Sequence, residues 1–425
     1  MPRRNAWLCA SALASVLAGP VQAQGSDFPK MTDYVIKLRS MPQYQSNPRR
    51  MPDGDDRRRS SEVIINSIGG AASVPLMSRD TRLDLAGNVG DARYSDNPEI
   101  DHQPKQFAGA LPWRAGRLFA GRVQYTYTDR LYQYLDRVWP DRDMVEREQW
   151  QAQFGMRVTE DLTLPSITVF QGRTRYDLPG NQVLYNNNEK GWEAALLLTG
   201  IGNDYLRAGF RQSRIDYGDR TEFWRLQIDD RYRDDQVFVS GQWDYSTKTT
   251  FEVQLGLLHR RYAYLRERDT RLFTLEARSA WQYSPKTRFD LYAWRRPYAN
   301  DDSPNTLYST LTGGRAAMRW QYSPKTAAWV SASYDKQDDT RVAGGEGRTD
   351  ILRLGARLEW STTDNVRMVL DGYRQREKGR GDNDSYSQNI VRLGLEFAMD
   401  NGSRNPRNLL FTPQCDYGYV EYLLC

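Results

Sequence analysis

Histidine is almost absent from this 425-residue chain, with two copies, and cysteine is sparse, with three. Chemistry built on an imidazole base, a thiolate or a metal held by either is therefore poorly provided for. No apolar run after the N-terminus approaches the roughly 20 residues a membrane-crossing helix needs, and mean hydropathy is −0.76. An excess of one charge is missing too. The 59 basic and 54 acidic residues are interleaved from end to end, unlike the clustered basic surface that nucleic acid requires. What abounds is aromatic, 26 Tyr and 12 Trp, and the cations are overwhelmingly arginine, only nine being lysine.

The first 23 residues read as a secretory signal peptide. Arg3 and Arg4 form a basic start, Ala6 to Leu17 an apolar stretch, and Val21-Gln22-Ala23 a small-x-small cleavage site. Cys9 sits too early, after Leu8 rather than a small residue, for a lipid-modified start. Cleavage near Ala23 leaves Cys415 and Cys425, in an oxidising compartment where a disulfide between them would persist.

Period two dominates the rest of the chain. Trp150, Ala152, Phe154, Met156 and Val158 alternate with Gln149, Gln151, Gln153, Gly155 and Arg157. The pattern returns at Phe251, Val253, Leu255 and Leu257, at Leu352, Leu354, Ala356, Leu358 and Trp360, and at Val391, Leu393, Leu395 and Phe397. Strands of soluble sandwiches average about 5–6 residues. These runs reach nine to twelve, the length with which a tilted strand crosses a bilayer.

The turns supply a second argument. Trp243-Asp-Tyr-Ser-Thr-Lys-Thr249, Trp281-Gln-Tyr-Ser-Pro-Lys-Thr287 and Trp320-Gln-Tyr-Ser-Pro-Lys-Thr326 are one motif written three times, 38 and 39 residues apart. Each is a short polar turn behind aromatics that would lie in a membrane-interface girdle. Related turns fit at Ser78–Asp80, Arg114–Gly116, Thr159–Asp161, Gly200–Asp204 and Ser361–Asn365. Between them lie longer charged segments: Asp136–Glu146, Pro179–Glu189, Asp216–Asp235, Tyr264–Arg271, Pro297–Thr306, Lys336–Asp350 and Glu377–Ser385. Alternating short and long connections mark an antiparallel up-and-down outer-membrane barrel with periplasmic turns and extracellular loops. With an opening pair at 32–40 and 62–76 and a closing pair at 365–376 and 386–398, the strands number about eighteen, sixteen being the alternative. Trp224, Leu226 and Ile228 alternate inside Asp216–Asp235 and leave open a strand extending beyond the bilayer. The expected organisation is a signal peptide over 1–23, a barrel over 24–398 and a tail over 399–425. That tail is read as a periplasmic hairpin, with one more strand or a docking segment as alternatives.

The parity opposite to the apolar series defines an inner, pore-lining face. It carries Arg157, Arg207, Arg211, Arg278, Arg315, Arg319, Arg353, Arg357, Arg392, Glu252, Glu276, Asp290, Glu359 and Glu396, with Arg122, Arg225, Arg367 and Asp371 beside them. Arginine suits bidentate bonds to carboxylates and stacking on rings. Cross-strand ion pairing that stiffens the wall is one reading. A track of donors and acceptors for a hydrated polymer is the other, with inward Tyr292, Trp294 and Tyr373 available either to pack or to stack on sugar faces.

Three stretches resemble the EpsL-type exopolysaccharide outer-membrane proteins, a β-barrel porin group. They are Ser78-Arg-Asp-Thr-Arg-Leu-Asp-Leu85 with Asp91-Ala-Arg-Tyr94; Tyr217 with Asp229-Asp-Arg-Tyr-Arg-Asp-Asp235 and Gly241-Gln-Trp243; and the Ser-Pro-Lys-Thr turns running into Asp290-Leu-Tyr-Ala-Trp294. The resemblance covers roughly residues 30 to 398. It implies passage of a secreted polysaccharide across the bacterial outer membrane. The implied partners are outer-membrane lipid, the polysaccharide chain and periplasmic polysaccharide-export proteins, with no cofactor. A general or solute-specific diffusion porin and a non-conducting surface anchor are the alternatives. Motifs for zinc peptidases, serine hydrolases, phosphate-binding loops and Cys-x-x-Cys chemistry are absent. His102 and His259 stand apart in sequence, and the acids alternate with apolar residues along the whole chain, so neither a metal site nor an enzyme is expected.

Overall fold

A computed structural model describes residues 33–78, 81–132, 142–159, 162–199, 204–298, 306–341, 346–380 and 385–400. The segment expected to be a signal peptide lies outside them, as do nearly all of the expected tail and both Cys415 and Cys425. The first strands are β1 (Asp33–Gln45), β2 (Ser61–Ser78), β3 (Thr81–Tyr94), β4 (Lys105–Ala115), β5 (Phe119–Leu131) and β6 (Met144–Arg157). Then come β7 (Leu162–Tyr176), β8 (Asn187–Thr199), β9 (Tyr205–Asp216), β10 (Arg231–Ser246), β11 (Thr249–Tyr262) and β12 (Thr270–Ser284). The last are β13 (Thr287–Tyr298), β14 (Thr306–Ser323), β15 (Thr326–Arg341), β16 (Glu346–Ser361), β17 (Val366–Arg380) and β18 (Tyr386–Asp400). Each strand runs antiparallel to the next, and β18 returns to pair with β1, so eighteen strands close into one up-and-down barrel.

Side-chain alternation decides which face meets which medium. Trp150, Phe154, Leu255, Leu257, Leu352, Leu354, Leu358, Val391, Leu393, Leu395 and Phe397 are exposed on the outer surface, while their polar neighbours Arg353, Arg392 and Glu396 are buried inside. No water satisfies backbone groups in hydrocarbon, so a sheet survives there only when its edges are joined. The strands run from 11 to 18 residues, all long enough for the roughly 9–11 needed to span the membrane.

The eight short connections fall where the turn signals place them. In the repeated motif, Ser246, Ser284 and Ser323 accept the backbone N–H of Lys248, Lys286 and Lys325 at 3.2–3.3 Å. Gln282 and Gln321 donate to the carbonyls of Ser284 and Ser323, both at 2.7 Å. Adjacent turns are also laced together, since Gln282 N–H reaches the Lys248 carbonyl and Gln321 N–H the Lys286 carbonyl, each at 2.7 Å. The preceding tryptophans stack on the next strand, Trp243 on Phe251 at 5.3 Å and Trp281 on Phe289 at 5.5 Å.

The long connections differ from expectation in three places. β1 runs on to Gln45, past the expected end at 40, and residues 95–104 form a further loop between β3 and β4. Lys336–Asp350 is mostly strand, because β15 and β16 continue to Arg341 and from Glu346. Trp224, Leu226 and Ile228 do not extend a strand; they lie in a short helix, α2 (Glu222–Ile228), and another short helix, α1 (Pro179–Tyr185), lies in the preceding long loop. The cause is Asp229, which has φ 66° and is buried. Its carboxylate accepts the N–H groups of Tyr264 and Leu265 at 2.7 and 2.9 Å, turning the chain after the helix and tying two loops together.

Leu255→Arg or Leu354→Arg sets a charge against hydrocarbon and should cost about 2–4 kcal/mol near the midplane, while Gln254→Leu should assemble normally. Heat-modifiable gel mobility after refolding reads this. Equal damage from both kinds of change would refute the face assignment.

Candidate functional site

Among the described residues, a long run of linked ion pairs lines the inner wall at the seam where the barrel closes. Arg39 on β1 pairs with Glu396 on β18 at 2.7 Å, and Glu396 also binds Arg367 on β17. Arg367 reaches Glu359 on β16 at 3.1 Å, and Glu359 lies 3.6 Å from Arg357 on its own strand. Arg357 binds Asp371 at 2.5 Å, which holds Arg392 at 2.6 Å. Four arginines and three carboxylates thus form one continuous ladder. Register makes it: Arg39 faces Glu396, Arg367 faces Glu396, and Asp371 faces both Arg357 and Arg392. A second pair, Arg353 with Asp335, sits beside it toward the long loops, both partners almost fully buried.

Across β7 to β10 the wall is layered. A Cβ at Gly209 would come within 2.9 Å of Phe238, so the glycine is what lets that ring lie flat along the sheet. Arg207 then covers Phe238 at 5.2 Å and binds Glu193. In the same way Phe170 lies against Gly191, Arg211 stacks on Phe170 at 4.3 Å, and Glu189 stands 3.8 Å from Arg211. The guanidinium thus presents one face to the ring and its edge to a carboxylate.

From β11 to β15 the partners are more mixed. Glu252 faces Arg278 in register, and Arg278 stacks on Tyr292 at 4.9 Å. Glu276 lies between Gln254 and Trp294. Asp290 pairs with Arg288 at 2.7 Å. Arg315 sits between Tyr292 and Ser333, and Arg319 stacks on Trp329 at 5.1 Å.

The expected wall residues therefore fall into distinct groups. Arg353, Arg357, Glu359, Arg392 and Glu396 come together at the seam, with Arg207 and Arg211 in the layered wall opposite. Arg157 ends β6 and is exposed by the short turns, away from both groups. Arg225 is not on the inner face; it lies in α2, 3.9 Å from Glu222. Sequence reading missed Arg39, Asp335, Glu189, Glu193, Phe170 and Phe238. The two glutamates were findable, since both keep opposite parity to Trp192, which faces outward. His102 lies in the loop after β3, where its Nδ1 is 2.9 Å from the Ile100 carbonyl and burial pushes its pKa below the ordinary value. Among the described residues no cluster of ligands could hold a metal ion.

No protein-family model matches the chain, and no curated protein does. Solved structures do. Pseudomonas aeruginosa OccK9 (OpdG) and OccK2 (OpdF) each match 88% of this chain over 100% of their own, with 11% identity and a TM-score of 0.50. Acinetobacter baumannii OccAB3 matches 87% over 99% of its length, with 9% identity and the same TM-score. At such identity the likeness concerns the fold. The chain is an eighteen-stranded outer-membrane β-barrel.

The ladder makes its own prediction. Asp371→Asn leaves Arg357 and Arg392 facing each other without their shared carboxylate and should cost about 3–5 kcal/mol, as broken buried pairs do. Arg39→Gln, at the 37% exposed end, should cost about 0–1 kcal/mol. Urea unfolding in detergent, followed by tryptophan fluorescence, compares them. Equal losses would mean that the seven groups do not act as a buried network.

Proposed function

We propose that the barrel is a diffusion porin, passing small hydrophilic solutes across the outer membrane along its charged inner wall. The observation that carries this reading is the disposition of the inward rings. A polymer that slides by stacking on aromatic faces needs those faces bare. Trp294 is 1% exposed and Tyr373 5% exposed, and the Tyr373 hydroxyl donates to Gln375 at 2.8 Å. Phe170, Phe238, Tyr292 and Trp329 are covered by arginines. What the described wall leaves open to the interior is charged, with the side chains of Arg211 42%, Glu189 36% and Arg367 26% exposed, a surface suited to small solutes that exchange hydrogen bonds with water and wall alike. The fold shared with the Occ barrels accords with this reading.

Pore lining by Arg207, Arg211, Arg278, Arg315, Arg319, Arg353, Arg357 and Arg392, with Glu252, Glu276, Asp290, Glu359 and Glu396, belongs to the same proposal. Polysaccharide export, implied by the resemblance to the EpsL-type proteins, asks for a ring track that these contacts do not favour.

Deleting the gene separates the two. The porin reading expects slower uptake of a small hydrophilic solute and unchanged surface polysaccharide. Loss of surface polysaccharide, with uptake unchanged, would contradict it and restore the exporter.

A further inference from the structure

The outer surface near the long loops repeats one arrangement. Arg214 with Asp216 on β9, Arg233 with Asp235 on β10, Lys336 with Asp338 on β15 and Arg348 with Asp350 on β16 each set a cation two residues before a carboxylate on the same face. The pairs close at 3.1, 3.1, 2.8 and 2.7 Å. Each cation is neutralised within its own strand.

Strand β17 departs from this. Arg374, Arg376 and Lys378 occupy three successive outward positions, all exposed, and the acids of that strand, Asp371 and Glu377, face inward and are buried. In register, Arg374 is flanked by Leu354 and Asn389, and Arg376 by Leu352 and Ser387. Lys378 faces Asp350, which is already bound to Arg348 and to the Tyr334 hydroxyl at 2.6 Å. Asp53, from the neighbouring loop, accepts from Arg58 at 2.7 Å and from the Ser387 hydroxyl at 3.0 Å. Three cations thus stand in a row about 13 Å long at about 3.3 Å per residue, on a face whose carboxylates are engaged elsewhere.

Their height gives the row a partner. It begins beyond the exposed Leu370, with Gly372 between them on the outward face, and runs beside the exposed Leu354 and Leu352, at the upper edge of the apolar belt on the side of the long loops. There the methylene stems can lie on hydrocarbon while the charged heads reach the polar layer. We propose that Arg374, Arg376 and Lys378 bind the phosphate groups of anionic lipid in the outer leaflet. The inference rests on the barrel's placement in the membrane and is independent of what its interior conducts.

The test is lipid A binding to the full mature chain, refolded in detergent and read by native mass spectrometry, with dephosphorylated lipid A and inorganic phosphate as comparisons. Each cation near an anionic surface contributes roughly a factor of five, so the triple variant Arg374→Gln/Arg376→Gln/Lys378→Gln should bind lipid A roughly a hundredfold more weakly. Arg214→Gln/Arg233→Gln, which removes paired cations, should bind as the parent does. Heat-modifiable mobility and conductance should match the parent in both, so failure here is distinct from failure of the porin reading. If the triple variant does not fold, Arg376→Gln alone, expected to lose about fivefold, decides. Undiminished binding by the variant, equal binding of dephosphorylated lipid A, or displacement of lipid A by millimolar inorganic phosphate would each overturn the proposal.

Discussion

Every backbone N–H and C=O within the bilayer must find a partner in the protein, and in a sheet the last unmet groups are those of the two edge strands. The pairing of β1 with β18 is therefore the interaction on which the rest of this molecule depends. Once Val35 faces Asp400 and Gln45 faces Ile390, no edge remains, the alternation of every strand acquires a fixed inside and outside, and eighteen polar faces are turned toward one another. The closing seam also carries a continuous ladder of ion pairs. Arg39 and Glu396 are bonded across it, so the backbone ladder and the side-chain ladder secure the same joint.

Inside, the problem is to keep many charges beside a low-dielectric wall. Isolated, each would carry a heavy desolvation cost. Shared carboxylates reduce that cost, since Asp371 serves two arginines and Glu396 two more. Rings laid flat over glycines serve the same end on the opposite wall, where Phe170 and Phe238 support Arg211 and Arg207. Lysine, a compact point charge on a flexible stem, could make neither the bidentate bond nor the flat stack so well. Arginine is thus the cation that the packing of this wall calls for.

Much of this was legible in the sequence because two signals agreed. The Trp150–Val158 alternation and the thrice-written Trp-x-Tyr-Ser-x-Lys-Thr turn each imply the barrel, and together they fix faces and ends. Where one signal stood alone, reading failed. Trp224, Leu226 and Ile228 sit in a helix of seven residues, under two turns, too short for a period of 3.6 to be told from a period of two. Phe170 and Phe238 were hidden because Val169, Val237 and Val239 beside them are also apolar, which erases parity. Arg39 and Glu396 lie 357 positions apart, and no local pattern reveals a partner that only closure and register bring into contact.

The central claim is that the closed barrel with its ionised wall is a conduit for small solutes, and the most direct measurement is single-channel conductance of the purified mature chain in a planar bilayer. The account predicts discrete, long-lived conductance steps in simple salt, with no polymer or partner protein added. A correctly folded, heat-modifiable barrel that inserts and yet conducts nothing would contradict it.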